Sequence, residues 1–392
     1  MDKIISLAKR RGFVFPGSEV YGGLANSWDY GPLGVELKNN IKQLWWKKFV
    51  QEREDMVGID SALIMNTEVW KASGHLKEFS DPLVECKKCN YRDRIDFIIA
   101  REHPGKAQIL STKGDKLYEA LLGEKIKCPK GGLHEWTKPK QFNLMLKTHI
   151  GPVESDENIV YLRPETAQGM FVNFKNVLDS TRKTIPFGIA QIGKAFRNEI
   201  TPGNFIFRTR EFEQMEIEYF VREEEREKKF EYWKNEMMQW MKDVGIDMGK
   251  VHVTEIPDGE RAHYSKRTID FEFDYPFGRK ELYGLAYRGD FDLKNHFSEP
   301  PYKDSVSGET FYPRVIEPTW GVDRSVLAVL LSAYDDSDKD RAVLRLKPQL
   351  APYKAAVFPL LANKPQLIDL ARKIYDDLRK DFMVAWDDRG NI

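Results

Sequence analysis

The chain has 392 residues with 61 basic and 61 acidic side chains, so bulk charge excludes nothing but a wholesale basic partner surface: any nucleic-acid contact must be local. At 41 % apolar and 31 % charged residues the composition is that of a globular protein of about two or three domains, not a disordered or fibrous one. No apolar run of about eighteen residues and no apolar leader core occur, which excludes a membrane span and a secretory signal; three cysteines suit a reducing, cytoplasmic compartment better than a disulfide framework.

Residues 1–12 read as a short basic helix. The Gly- and aromatic-rich stretch that follows, up to Gly34, reads as ordered loop with tight turns. From Leu33 the apolar positions Leu37, Ile41, Leu44 and Phe49 recur every three to four residues and predict a long helix, followed by a strand at Ala62–Met65. Residues 84–140 interrupt this pattern as an insertion between a first core segment, 1–83, and a second, 141–346. Cys86-Lys87-Lys88-Cys89 has zinc-knuckle spacing, and Cys128 opens a second knuckle in which Gly131 stands where the matching cysteine belongs. His134 completes a candidate Zn²⁺ set of Cys86, Cys89, Cys128 and His134; the alternative is a degenerate ribbon without metal. A helix is expected near Lys116–Leu122.

A strand over residues 158–163 stops at Pro164, and Glu165 is expected to open a helix, with Pro164 at its first position and the carboxylate facing the dipole. Phe187 to Phe220 holds two β-prone runs around Thr201-Pro202-Gly203-Asn204 and predicts a long antiparallel hairpin. Strand alternation puts Arg197 and Glu199 on one face of the first strand, and Arg208, Arg210, Phe212, Gln214 and Glu216 on one face of the second. Guanidinium forks suit phosphate, a ring suits a base and a carboxylate suits an exocyclic amine. The alternative is a solvated, salt-bridged face. Val221–Val244 predicts a helix with a packing stripe at Phe230, Trp233, Met237 and Trp240, and Thr268–Phe273 an alternating strand. Asp290 and Asp292 read as caps of a turn. Residues 315–331 form a strand, a glycine turn and an apolar helix with Arg324 at its start, where the dipole favours an anion. Beyond Lys347-Pro348, residues 349–392 read as β-α-β: a strand at Leu350–Leu361, a helix at Leu367–Leu378 and a strand at Met383–Trp386.

The order F-R-x-E, loop, R-x-R-E-F-x-x-x-E at 196–216 resembles motif 2 of class II aminoacyl-tRNA synthetases. G-x-D-R at 321–324 resembles motif 3, and the helix from Leu33 resembles motif 1, without the proline usual near Thr67. L-R-P-E-T-A-Q-G-x-F-x-N-F at 162–174, Y-G-P-L-G at 30–34, S-G-H at 73–75 and E-L-x-G-x-A-x-R-x-D-x-D-L at 281–293 resemble the glycyl branch, with Arg279 in place of Trp and Thr319 in place of Ser. The resemblance implies an α+β fold: a class II antiparallel sheet flanked by helices, with a partial C-terminal α/β anticodon-binding domain at 349–392. It implies ATP-dependent activation of glycine and transfer to the 3′ end of tRNA(Gly) by a homodimer formed through motif 1.

By the same resemblance, Arg197 holds the ATP α-phosphate, Glu199 reads the adenine amine and Phe212 stacks on the base. Arg208 or Arg210 reaches the outer phosphates and Arg324 clamps the γ-phosphate, Arg197 and Arg324 being the catalytic pair. Glu281 and Glu317 hold Mg²⁺, Glu165, Glu216 and Thr319 form the glycine site, and His263 touches the tRNA end. The alternative is a non-catalytic relative, a nucleic-acid-binding or polymerase accessory protein; such relatives lose the arginines that stand here.

Overall fold

Seven stretches of alternating side chains assemble one sheet in the computed structural model, which describes residues 1–102, 115–262, 264–338 and 341–389. In chain order the strands are β1 (Met56–Gly58), β2 (Phe187–Phe196), β3 (Glu211–Val221), β4 (Val251–Glu255), β5 (Arg267–Tyr275), β6 (Gly278–Gly289) and β7 (Arg314–Gly321). They lie in the order β4-β5-β6-β7-β3-β2-β1, with β1 parallel to β2 and every other neighbouring pair antiparallel.

Period-two alternation gives the sheet its two faces. On β3, Met215, Ile217 and Tyr219 enter a core shared with three helices, α1 (Pro32–Trp46), α2 (Arg226–Asp243) and α3 (Val322–Ala333). The intervening side chains, Gln214, Glu216 and Glu218, face away from that core and are buried as well. The α1 stripe expected as a subunit seam is spent inside the chain: Leu37, Ile41 and Trp45 are fully buried, and Trp45 meets Trp320 edge-on at 5.4 Å. The α2 stripe, Phe230, Trp233, Met237 and Trp240, is buried as expected. Each such side chain contributes about 1.5–3 kcal/mol by leaving water.

Four local expectations are corrected. Ala62–Met65 forms no strand, only one bridge between Ile64 and Leu162, while the paired strand is β1, too short to show a period. Glu165 does not open a helix; the helix starts at Ala167 and Glu165 lies in the irregular turn before it. The hairpin ladder stops at Phe196 and resumes at Glu211, because Asn204 and Phe205 adopt positive φ (56° and 61°) and lead into a 3₁₀ turn at Phe205–Phe207. Asp290 makes no capping hydrogen bond; it binds Lys294 at 2.8 Å and Arg314, while Asp292 binds Arg288.

The inserted segment folds around its own core of Val84, Cys86, Ile95, Ile98, Ile99, Leu117, Leu121, Cys128 and Trp136. Strand Ser80–Glu85 lies between Arg92–Arg94 and Lys140–Asn143, so this sheet crosses both expected limits of the insertion. The helix expected near Lys116–Leu122 spans Asp115–Gly123, and a second, Ile95–Glu102, was not anticipated. In the last segment, Ala355–Val357 pairs in parallel with Val384–Trp386 across the helix Pro365–Leu378, the expected β-α-β with a shorter first strand.

Candidate active site

The polar face of the sheet floors a cavity of about 510 Å³, lined from β3, β5, β6, β7, the start of α3 and the loop between β2 and β3. One end is cationic. Arg197 leaves the end of β2, donates from Nε to the Pro164 carbonyl at 3.0 Å, and sits between the rings of Phe79 and Phe212 at 5.4 and 5.2 Å. Arg208 lies 3.7 Å from the Glu199 carboxylate, yet its buried Nη1 has no hydrogen-bond partner. Burial, together with Arg324 and Arg94, holds its pKa below the ordinary value, with Glu199 opposing. An unsatisfied buried N–H costs about 1–3 kcal/mol until something accepts from it. Arg324, in the first turn of α3, donates to the Glu281 carbonyl at 3.1 Å, pairs with the Glu281 carboxylate at 3.1 Å and lies 4.5 Å from the Phe207 ring. Arg197, Glu199, Arg208, Phe212, Glu281 and Arg324 thus line one cavity. Arg210 does not join them. With the ladder interrupted, its guanidinium turns to the Ala25 carbonyl at 3.3 Å.

The other end is anionic. Glu165 accepts from Gln168 at 3.0 Å and lies 3.4 Å from His75 Nε2 and 3.8 Å from Arg288. Burial pushes its carboxyl up, but His75, Arg288 and Gln168 outweigh this and hold it far below the carboxylate range. Glu216 accepts from the Thr319 hydroxyl at 2.9 Å and from Thr166; burial and the Glu165 charge raise its pKa. Glu317 is ion-paired with Arg288, while burial and the charges of Glu216, Glu165 and Asp292 push it up to about 8. Arg288 also binds Asp292 through two bonds, 2.7 and 2.8 Å, and lies over the Tyr264 ring at 3.7 Å. Both Glu218 oxygens are buried without a hydrogen-bond partner. Carboxylates crowded in this way around one guanidinium favour a further cation. Glu165, Glu216 and Thr319 were legible in the sequence; Gln168, Glu218, Arg288 and Asp292 were not read as members of this site. The S-G-H triplet was the available signal for His75.

Glu216, Glu218 and Glu317 place carboxylate oxygens within 4.8 Å of one another. Glu281 and Glu317, the two residues expected at Mg²⁺, lie apart along their strands. Glu317 stands opposite Ala286 across β6–β7, which puts Glu281 about 15 Å further along the strand. Asp270 is the acid whose carboxyl Glu281 affects: burial, Glu281 and Glu272 push it up to about 7. In the inserted segment, ligand atoms of Cys86, Cys89, Cys128 and His134 also lie within 4.8 Å of one another, and His134 is stacked on Trp136 at 4.5 Å. Zn–S bonds of about 2.3 Å need a ligand spread of about this size, so the donor set fits a tetrahedral metal. His263 lies outside the described residues.

A polar network joins the elements beneath the cavity. The Asp323 carboxylate accepts from the Tyr30 hydroxyl at 2.5 Å and the Glu213 amide at 2.8 Å, and Lys38 bridges Glu213 and Asp323 at 3.0 and 3.4 Å. This ties α1, β3 and α3 together.

A family model described as the tRNA synthetase class II core domain (G, H, P, S and T) matches residues 152–334. The glycine--tRNA ligase of Caldanaerobacter subterraneus subsp. tengcongensis is 52 % identical over 402 aligned residues, covering 100 % of this chain and 87 % of the relative. That of Geobacillus thermodenitrificans is 51 % identical over 403, covering 100 % and 86 %, and that of Bacillus anthracis 49 % identical over 402, covering 100 % and 87 %. With relatives this similar aligned over its whole length, the chain belongs to the glycine--tRNA ligases of the class II synthetases.

Proposed function

We propose that this cleft joins glycine to ATP and delivers the glycyl group to tRNA(Gly). A glycine carboxylate oxygen attacks the α-phosphorus, pyrophosphate leaves, and the tRNA 3′-terminal hydroxyl then attacks the adenylate carbonyl and releases AMP. The observation that carries this reading is the division of charge along a single cavity, cationic where a triphosphate would lie and anionic where an ammonium would lie. No protein nucleophile is required; positioning and charge stabilisation lower the barrier.

In this reading Arg197 meets the α-phosphate, Phe212 stacks on the adenine, and Glu199 accepts from its amine. Arg208 and Arg324 take the outer phosphates; Arg210 is left out because it does not line the cavity. Class II synthetases use ATP with Mg²⁺; here Glu281, with Asp270 beside it, would hold the ion, which neutralises phosphate charge when bound. Glu165 and Glu216 fix the glycine ammonium, Thr319 fixes Glu216, and the packed wall leaves no room for a Cβ. Steric exclusion makes an editing site unnecessary, since one methylene is otherwise worth only about 1–3 kcal/mol.

Further parts of the proposal concern the rest of the chain. Cys86, Cys89, Cys128 and His134 hold a structural Zn²⁺ in an inserted module of residues 80–143, wider than the 84–140 first expected. Residues 349–392 belong to an anticodon-binding domain. The protein is a cytoplasmic homodimer: Val20, Tyr21 and Leu24, which precede α1 in the chain, are among the exposed apolar side chains that a partner could cover, as the α1 stripe itself is buried. Among the described residues no helix is long and apolar enough to cross a membrane.

ATP–pyrophosphate exchange with each amino acid in turn tests the activation step without tRNA. Exchange with glycine alone is the expected result. Exchange with alanine at a comparable rate would overturn steric exclusion, and none with any amino acid in a folded, ATP-binding protein would overturn activation.

A further inference from the structure

Arg208 is carried by an interrupted loop, not by a strand, so something outside the ladder must hold it. Its guanidinium lies 5.1 Å from the ring of Phe97, in the helix Ile95–Glu102 of the inserted module. The other side of that interaction is also built: the Arg94 guanidinium lies 4.4 Å from the same ring and is fixed by Asp81 at 2.7 Å and Asp96 at 2.8 Å. One aromatic ring thus serves two guanidiniums. At the loop's other arm the Thr201 hydroxyl donates to Asp93. Asp93 is 2 % exposed and also accepts from the Tyr91 hydroxyl, the Arg94 amide at 2.9 Å and Arg101 at 3.3 Å. Two consecutive elements of the insertion therefore grip both arms of the loop between β2 and β3.

We propose that Phe97 and Asp93 are positioning residues for adenylate formation, bracing the loop so that Arg208 presents its guanidinium, whose buried Nη1 makes no hydrogen bond, to the ATP phosphates. A cation over an aromatic face keeps its N–H groups unspent at the ring edge, so Phe97 fixes the guanidinium without consuming its donors. The inserted module then has a part in ATP use in addition to whatever it does for tRNA.

This inference rests on Arg208 being a phosphate ligand, and the experiment separates the two. ATP–pyrophosphate exchange would be measured for Phe97→Leu, Phe97→Tyr, Arg208→Ala and the Phe97→Leu/Arg208→Ala double variant. Phe97→Leu keeps apolar bulk and removes the π face. The expected result is a KM for ATP raised about fivefold to tenfold, a KM for glycine within about twofold, wild-type behaviour in Phe97→Tyr, and no further loss in the double variant beyond Arg208→Ala. Asp93→Asn is expected to raise KM for ATP in the same sense. If Arg208→Ala is impaired but Phe97→Leu is not, or if the two losses simply add, the brace is wrong. If Arg208→Ala leaves KM for ATP unchanged, the phosphate role of Arg208 falls first.

Discussion

The two ends of the cleft are built from the same strands and solve opposite problems. At the cationic end Arg197 and Arg324 are held by carbonyls and aromatic rings, Arg324 and Arg208 also pair with Glu281 and Glu199, and one buried nitrogen of Arg208 makes no hydrogen bond. At the anionic end Glu165, Glu216 and Glu317 are packed around Arg288, each with partners, while Glu218 has none. At Glu218 burial, then the Glu317 charge, push the carboxyl well above the usual carboxylate range. Leaving a buried donor or acceptor unpaired costs stability. The charge density of this sheet face is met by opposite charges at both ends, Arg288 among the carboxylates and Glu199 and Glu281 beside the arginines.

The largest break in this contrast comes from the arginines. On the proposed roles, Arg324→Ala or Arg197→Ala would remove a donor to charge that develops in the transition state, worth about 3 kcal/mol, so the rate of exchange should fall a hundredfold or more. Near wild-type exchange in either variant would mean that the cationic end does not handle phosphate. A smaller effect, confined to the other end, is expected from Glu165→Gln. Loss of one charged hydrogen-bond partner, about 2 kcal/mol, should raise KM for glycine roughly thirtyfold while KM for ATP stays put. Equal rises in both constants would show that the ends are not separable.

How much of this contrast the sequence carried depended on periodicity. Phe212 and Glu216 were placed on one face because β3 is regular from Glu211 onward. The α2 stripe was legible for the same reason. Arg210 was misplaced because strand alternation was extended back to Arg208, whereas the regular strand begins only at Glu211. Glu165 was expected at a helix start, since a proline and an acid before an apolar run is the usual signal. The structure uses that turn to aim the carboxylate at His75 and Arg288 instead. Gln168, Glu218 and Asp292 left no pattern: a buried polar partner is defined by what it touches across the sheet, and local sequence does not record that. Phe97 was hidden likewise, since its neighbour Arg208 comes from another part of the chain.

A finer test uses the acid that interrupts the cationic end. Asp270 is pushed up from 3.8 to about 7 by burial, Glu281 and Glu272. Between those values the folded protein binds more protons at this site than the unfolded chain. Its contribution to stability is therefore complete below about pH 4 and is lost as pH rises through 7. Asp270→Asn, neutral throughout, should show a smaller fall in Tm between pH 5 and 8 than the wild type. An identical pH profile in the two proteins would mean that Asp270 is already ionised and that the cationic end carries less net positive charge than its arginines suggest.

The smallest expected effect separates a hydroxyl from a methyl at Thr319. The hydroxyl donates to Glu216 at 2.9 Å, so Thr319→Ser keeps that bond and removes only the methyl. Thr319→Val keeps the branched shape and removes the bond. A buried hydrogen bond to a carboxylate is worth about 1.5 kcal/mol, so Thr319→Val should raise KM for glycine about tenfold, whereas Thr319→Ser should stay within about twofold of the wild type. The serine variant also measures the wall. If the methyl helps to exclude a Cβ, alanine exchange should rise in Thr319→Ser while glycine exchange does not change. If both are unaltered, discrimination lies elsewhere in the packing around Glu165 and Glu216, and Thr319 acts only by orienting a carboxylate at the anionic end.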